Sequence, residues 1–311
     1  MAEGYTDTPQ NLTEILPYVI MEKKDIIKDI FEKEKCYFYD TCSFRRHANL
    51  GYNEAEYFLR FIKGQNGLVI VTRCILMELA SISGVLNPEY MDYIKHISEF
   101  GIHVLVMYEE DVFDIMGVCF STNKIINQYL SWAIRTMKIP VSTITRTLEE
   151  NSKLNDEIVK GNNSDNGSIY QRFFKAVREN KESGDNLGEE VLAVCLYVLS
   201  HLPGEEDGKF CVITDDKGAC GKINSLFENT AKEYRGKRIV IFSTPKLIQV
   251  LYREKMIENR EHIKSILTTG TNGNVVVLGT RIYDIRSGEI SISPDDLTNL
   301  IMQPNGIQII I

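Results

Sequence analysis

No run of apolar residues in the sequence is longer than nine, the stretch Val191–Leu199. A helix crossing a bilayer needs about 20, so no membrane-spanning segment is expected. The N-terminal stretch Met1–Leu16 has neither a basic flank nor an apolar segment, which argues against a secretory leader. The seven cysteines are odd in number and include no CxxC pair, so neither a disulfide framework nor a zinc site is expected. Most sit in apolar surroundings, as Cys195 does, where a reduced thiol behaves as a small buried hydrophobe. These absences point to a reduced, cytoplasmic protein. There is no internal repeat, and no G-x-G-x-x-G follows the first strand signal, which disfavours a dinucleotide fold.

The composition itself is ordinary for a globular chain: 43% hydrophobic and 25% charged over 311 residues. That length suggests one large domain with additions, or two small ones. The balance of 35 Lys+Arg against 43 Asp+Glu, net −8, argues against a surface that clamps nucleic acid on all sides.

Hydrophobic periodicity predicts short apolar strands at Cys36–Tyr39, Leu68–Val71, Ile102–Met107, Phe210–Thr214 and Arg238–Phe242. Helical patterns lie between them: Leu12–Glu34 interrupted near Pro17, Asn53–Lys63, Arg73–Ile82, Phe120–Ile139, Tyr170–Lys181, and a very apolar helix opening at Asn186. Alternation of this kind predicts an α/β fold, a buried parallel sheet flanked by helices. The polar stretch Asn151–Gly167 reads as a flexible loop. Ser243-Thr244-Pro245 reads as a helix start with proline at the first position. Beyond Lys255 the pattern changes to strands at Asn274–Leu278, Arg281–Ile285 and Glu289–Ser293, a short helix from Ser293-Pro294, and a terminal strand Ile307–Ile311. This predicts a small α+β appendage at 253–311, after a helical extension at 1–34.

Several carboxylates fall where strands end or helices begin. Asp40 follows the first strand, and Asp215 and Asp216 follow Cys211–Thr214. Glu78 borders the apolar stripe of its helix, beside Ile75 and Ile82. Glu189 and Glu190 open the apolar helix. Each has a structural reading as well: Asp40 and Asp216 as N-caps, Glu189 as a capping-box or dipole partner, Glu78 as half of a surface ion pair. As a set they would converge beyond the strand C-termini, where open parallel sheets bind ligands. Converging carboxylates repel, so the arrangement makes most sense around cations. Oxygen-only ligands favour Mg²⁺ or Mn²⁺, which can promote phosphodiester cleavage.

The motifs carrying these acids resemble those of PIN-domain (PilT N-terminus) nucleases. Tyr37-Phe38-Tyr39-Asp40-Thr41-Cys42-Ser43 is similar to the family's first motif, and Val69–Thr72 with Ile75–Leu79 to its second. Gly188-Glu189-Glu190-Val191-Leu192-Ala193 resembles the third, and Val212–Lys217 the fourth; Val240–Leu251 fits the family's ending. The resemblance spans about Cys36–Val250. It implies a Rossmann-like three-layer domain over 35–252, with an elaboration at 118–186 lengthening the Glu78-to-Glu189 span. It further implies a metal-dependent ribonuclease with Asp40, Glu78, Glu189 and Asp216 as acidic catalytic and metal-binding residues, and Thr41, Ser43 or Thr214 in support. Glu190 stands open as the third acid in place of Glu189, and Asp215 as a further ligand.

For RNA contact, Arg45, Arg46, Arg73 and Lys217 are candidates because they adjoin the acidic motifs, and Lys222 follows closely. Tyr170–Arg178 mixes bases with aromatics, as single-strand binding surfaces do, although the same aromatics suit a core. His96, His103, His201 and His262 have no carboxylate or serine partner at recognisable spacing and receive no catalytic role. The order of the acids disfavours a receiver domain, and Cys42 stands where a haloacid-dehalogenase phosphatase needs its second Asp. The remaining rival is a catalytically weak PIN-like module that binds or regulates. The partners expected are RNA as substrate and, compatible with either reading, a protein inhibitor or a second copy of the chain.

Overall fold

The central strands are apolar at nearly every position, and the chain surrounds them on both faces. The computed structural model describes residues 5–137, 142–162, 164–282 and 284–311. Helix α1 (Lys23–Glu32) leads into β1 (Lys35–Tyr39), followed by α2 (Thr41–Ala48), α3 (Tyr52–Gly64), β2 (Gly67–Thr72), α4 (Arg73–Ala80), α5 (Pro88–Glu99) and β3 (Val104–Met107). Helices α6 (Val112–Gly117), α7 (Asn123–Met137), α8 (Thr143–Glu150), α9 (Ser152–Ile158), α10 (Ile169–Glu179) and α11 (Leu187–Leu199) precede β4 (Phe210–Ile213). Then come α12 (Lys217–Asn229), β5 (Val240–Phe242), α13 (Thr244–Arg253) and α14 (Arg260–Thr268). The chain closes with β6 (Val275–Arg281), β7 (Gly288–Ile292), α15 (Pro294–Met302) and β8 (Ile307–Ile309).

Strands one to five form a parallel sheet in the order β3-β2-β1-β4-β5, so the fold is α/β with three layers. Alternation along the strands divides the core. Tyr37, Tyr39, Val69, Val71 and Ile213 face α3, α5, α13 and α14. Cys36, Phe38, Leu68, Ile70 and Val212 face the other layer, built from α1, α6 to α11 and α12. The small C-terminal sheet, β7-β6-β8, is antiparallel, and its Val275, Val277, Ile290 and Ile309 join the first of these clusters. Gln249 of α13, 1% exposed, ties that sheet down by donating to the Ile307 carbonyl at 2.7 Å and accepting from Ile309 N–H at 3.1 Å.

Several expectations are corrected by physical detail. Leu12–Glu34 is not one helix: 3-10 turns at Leu12–Glu14 and Leu16–Tyr18, the second containing Pro17, precede Val19, and Ile20 bridges in parallel to Leu105 at the open edge of β3. The Asn151–Gly167 stretch contains α9, because the Asn151 side chain caps it at Leu154 N–H and Leu154 and Ile158, one turn apart, are buried. The strand expected at Arg281–Ile285 does not form among the described residues, and β6 ends at Arg281. Asp284 accepts from Arg281 N–H at 2.7 Å and returns a bond to its carbonyl, so the chain turns there and β6 pairs with β7 directly. Helix α5, starting on Pro88, has no counterpart in the sequence pattern, whereas α2 begins at the Asp40 cap. The helix expected over Phe120–Ile139 is α7; positions 138 and 139 lie outside the described residues. His103 does have a carboxylate partner, Asp29 at 2.6 Å, brought from 74 residues away. Ser243 caps α13 with Pro245 in its first turn, as expected. Among the described residues no helix is long and apolar enough to cross a membrane.

Candidate active site

Strand order reverses between β1 and β4, because the chain leaves β1 toward β2 on one side and returns to β4 on the other. Helices diverge at such a point and leave a crevice beyond the strand C-termini. The ladder pairs Tyr39 with Ile213, and Asp40 N–H continues it to the Ile213 carbonyl at 3.0 Å. Asp40 and Thr214 are therefore neighbours on the rung past the sheet. Thr214 Oγ1 accordingly donates to Asp40 Oδ2 at 2.8 Å.

Both capping readings hold, and neither exhausts the residue. Asp40 caps α2 through Oδ1, which accepts from Thr41 N–H at 2.7 Å, while Oδ2 also accepts from Cys42 Sγ at 2.8 Å. Asp216 caps α12 through Oδ1, which accepts from Gly218 and Ala219 N–H at 2.5 and 3.2 Å. Asn186, by contrast, makes no side-chain cap on α11, so the capping box does not form.

These two aspartates line a cavity of about 270 Å³ together with Glu78 of α4 and Glu189 of α11. Glu78 Oε2 accepts from the Thr41 hydroxyl at 2.5 Å and Oε1 from Gly188 N–H at 3.1 Å. Burial raises the Asp40 carboxyl above its ordinary value, the charge of Glu78 adding to the shift against hydrogen bonds from Cys42, Thr214 and Thr41. Burial likewise pushes Glu189 up to about 7, with Asp216 and Asp40 contributing and Lys222 opposing. Burial, then Asp40, pushes the Cys42 thiol up, so it remains an S–H donor.

Two lysines complete the cavity's charge. Lys222 of α12 pairs with Glu189, and Lys181 pairs with Asp185 and, at 3.0 Å, with Glu78. Burial works against the Lys181 ammonium, yet Glu78 and Asp185 outweigh it and hold its pKa above the ordinary value. The Tyr5 ring lies 5.3 Å from that ammonium and also lines the cavity. Among the described residues, no group of three His, Cys, Asp or Glu stands ready to hold a metal ion. The donor chemistry nonetheless fits an oxygen-preferring divalent cation: four carboxylates line one cavity, and two have pKa values raised partly by the others.

The other candidates lie elsewhere. Glu190 is buried, accepts from Ile144 N–H at 3.3 Å, and lines a neighbouring cavity with Asn186 and Arg146. Asp215 accepts from Thr244 N–H and Oγ1 at 2.7 and 2.6 Å and pairs with Arg46 at 3.2 Å. Burial pushes its carboxyl up, but Arg46, His47 and Thr244 outweigh burial and hold it below the ordinary value. Ser43 is fully buried beneath the site, its hydroxyl 4.0 Å from Cys42 Sγ.

No family model, curated protein or solved structure matches the chain.

Arg45 is exposed, lines the acidic cavity and donates to the Glu78 carbonyl at 2.5 Å. Arg46 is tied to Asp215 and to the carbonyls of Ile266 and Leu267. Arg73 is 3% exposed, lies 4.4 Å from the Tyr108 ring centre and donates to Thr8, away from the cavity. Lys217 is exposed and pairs with Glu289 of β7. Of the Tyr170–Arg178 aromatics, Tyr170, Phe173 and Phe174 are core, and Arg178 is buried against Glu109 and Glu110. Lys181 and Asp185 went unnoticed in sequence. Their only signal was a charged pair flanking Gly184 just ahead of the third acidic motif.

Proposed function

We propose that this protein is a PIN-like ribonuclease, hydrolysing phosphodiester bonds in RNA with Mg²⁺ or Mn²⁺. The observation carrying the reading is the meeting of Asp40, Glu78, Glu189 and Asp216 around one cavity at the reversal of strand order. When bound, a divalent ion supplies a Lewis acid for phosphate oxygens and lowers the pKa of water. The chain's own residues do the positioning. Three donors fix Asp40, and Thr41 links it to Glu78, so the two carboxylates keep one spacing. Arg45 and Lys181, which line the cavity, and Lys222, paired with Glu189, bring positive charge beside the carboxylates a phosphate would meet. The unpaired cysteines suit a reducing cytoplasm.

The test is incubation of the protein and of Asp40→Asn with single-stranded RNA and Mn²⁺ or Mg²⁺. Cleavage that needs the ion and disappears in the variant is expected. Equal cleavage by both proteins overturns the assignment.

One observation favours the second reading, a binding or regulatory module with little turnover. Lys181 and Lys222 already pair with Glu78 and Glu189, neutralising charge that an ion would otherwise balance. RNA or protein binding without cleavage, together with no calorimetric metal binding, selects that reading.

A further inference from the structure

We infer that a second cavity, adjoining the acidic one, is a binding site for one nucleotide. It measures about 510 Å³ and lies between α12, the start of α13 and the C-terminal sheet. That size is in the range of small-molecule sites.

Its chemistry is mixed in the way a nucleotide requires. Arg46 lines it, and although the guanidinium is anchored by Asp215, Ile266 and Leu267, its Nε is buried without an acceptor. Solvent does not reach that Nε, so the guanidinium acts on a ligand as a fixed positive charge on the cavity wall rather than as a free donor. Asn224 and Asn274 line the same cavity, each an amide offering donor and acceptor as base edges do. Val276 and Leu278 of β6 give it an apolar wall, and Val276 is 39% exposed as it stands. A base lying on that wall would cover it. Lys217 also lines the cavity, engaged with Glu289 at 2.9 Å, and both side chains are well exposed. A surface pair of this kind has little net worth, so the ammonium can turn to a phosphate.

The position ties this cavity to the acids. Arg45 and Asp216 line the acidic cavity, while Arg46, Asp215 and Lys217 line this one. Chain neighbours thus face both, and a strand whose phosphate lies among the carboxylates would place an adjacent nucleotide here. Only this last step rests on the ribonuclease reading; a free mononucleotide would be held by the same groups.

The test is calorimetric titration, in EDTA, of AMP, GMP, CMP and UMP into the full chain, Val276→Trp, Asn224→Ala and Asp40→Asn. The same proteins are titrated with a single-stranded RNA oligomer and with that oligomer bearing one abasic nucleotide. Binding of at least one mononucleotide is expected, weakened about tenfold or more by Val276→Trp, which fills the cavity, and unchanged by Asp40→Asn. Asn224→Ala alters an exposed side chain and weakens binding without disturbing the fold, which a thermal melt checks. If RNA is the source, the abasic oligomer loses affinity for the wild type but not for Val276→Trp. If a free nucleotide is the source, Val276→Trp weakens mononucleotides alone. No mononucleotide binding, and no effect of either cavity variant on the oligomer, overturns the site even where RNA is cleaved. Mononucleotide binding in a protein that cleaves nothing keeps the site and refutes the nuclease.

Discussion

The backbone N–H of Gly188 donates to Glu78 Oε1 at 3.1 Å, joining two acidic motifs 110 residues apart in the chain. Between them run α5, β3 and the helices α6 to α10. The bond therefore closes a long excursion back onto the site. It also places a carboxylate at the start of α11, where the helix dipole favours negative charge.

A larger residue at that position fits only if the Glu78 carboxylate moves. A Cβ on Gly188 would stand 2.6 Å from Glu78 Oε2 and 2.7 Å from Oε1. Gly188→Ala is expected to displace Glu78, costing about 1–3 kcal/mol of stability and about 100-fold in cleavage. Gly64→Ala, where a Cβ meets nothing within 4 Å, is the control. Denaturant titration and initial rates for both variants check this; a fully active Gly188→Ala would remove Glu78 from the machinery.

Lys181 is 2% exposed and holds Glu78 and Asp185 together. Lys181→Met leaves both carboxylates without that cation, a loss on the order of 3 kcal/mol for a buried pair. If the cavity takes Mn²⁺, the ion should restore charge balance, so added Mn²⁺ raises the melting temperature of the variant more than that of the wild type. Equal shifts in the two proteins would show that the ion does not sit beside Glu78.

The two adjacent glutamates separate by the cavity they face. Glu189→Gln is expected to lower cleavage by about 100-fold or more, since even the partners of metal ligands cost about 10–100-fold. Glu190→Gln keeps an oxygen to accept from Ile144 N–H and leaves rates near wild type. Single-turnover rates on one RNA decide the order, and the reverse result would move the third acid to Glu190.

The strands and the four acids were legible because parallel strands buried on both faces are apolar throughout and end in abrupt polarity, as Tyr39-Asp40 and Ile213-Thr214 do. The helix α9 was not legible, since its polar composition conceals Leu154 and Ile158 on one face and its start depends on the Asn151 cap. Lys181 and Asp185 could not be read because their partner Glu78 is set by the tertiary path rather than by spacing. Arg73 misled for the converse reason. Adjacency in sequence to an acidic motif placed it on the first turn of α4, where its side chain leaves the cavity for Tyr108. The charge sum of −8 is blind to position: Glu109 is offset by Arg178, and Asp40 faces a cavity that Arg45 also lines.

His47 links the site's foundations to pH. It is fully buried, stacked on Phe58 at 4.5 Å, with Nδ1 and Nε2 each 2.9 Å from the hydroxyls of Tyr39 and Thr244. Burial lowers its pKa from 6.5 to about 3, Asp215 opposing and Arg46 assisting. Between those values the unfolded chain binds a proton that the folded chain refuses. Stability conferred by His47 is therefore complete above pH 6.5 and is lost as pH falls toward 3, at up to about 1.4 kcal/mol per pH unit. Glu189 runs the other way. Raised from 4.5 to about 7, it stays protonated in the folded chain after the unfolded chain has released its proton, so its contribution declines as pH rises through that window. The two slopes oppose each other where the windows overlap. Glu189→Gln should therefore be more stable than wild type near pH 7 relative to pH 4.5 and show the steeper loss on acidification. Urea melts of both proteins from pH 4 to 8 measure the difference, and parallel curves would show that Glu189 carries no shifted proton.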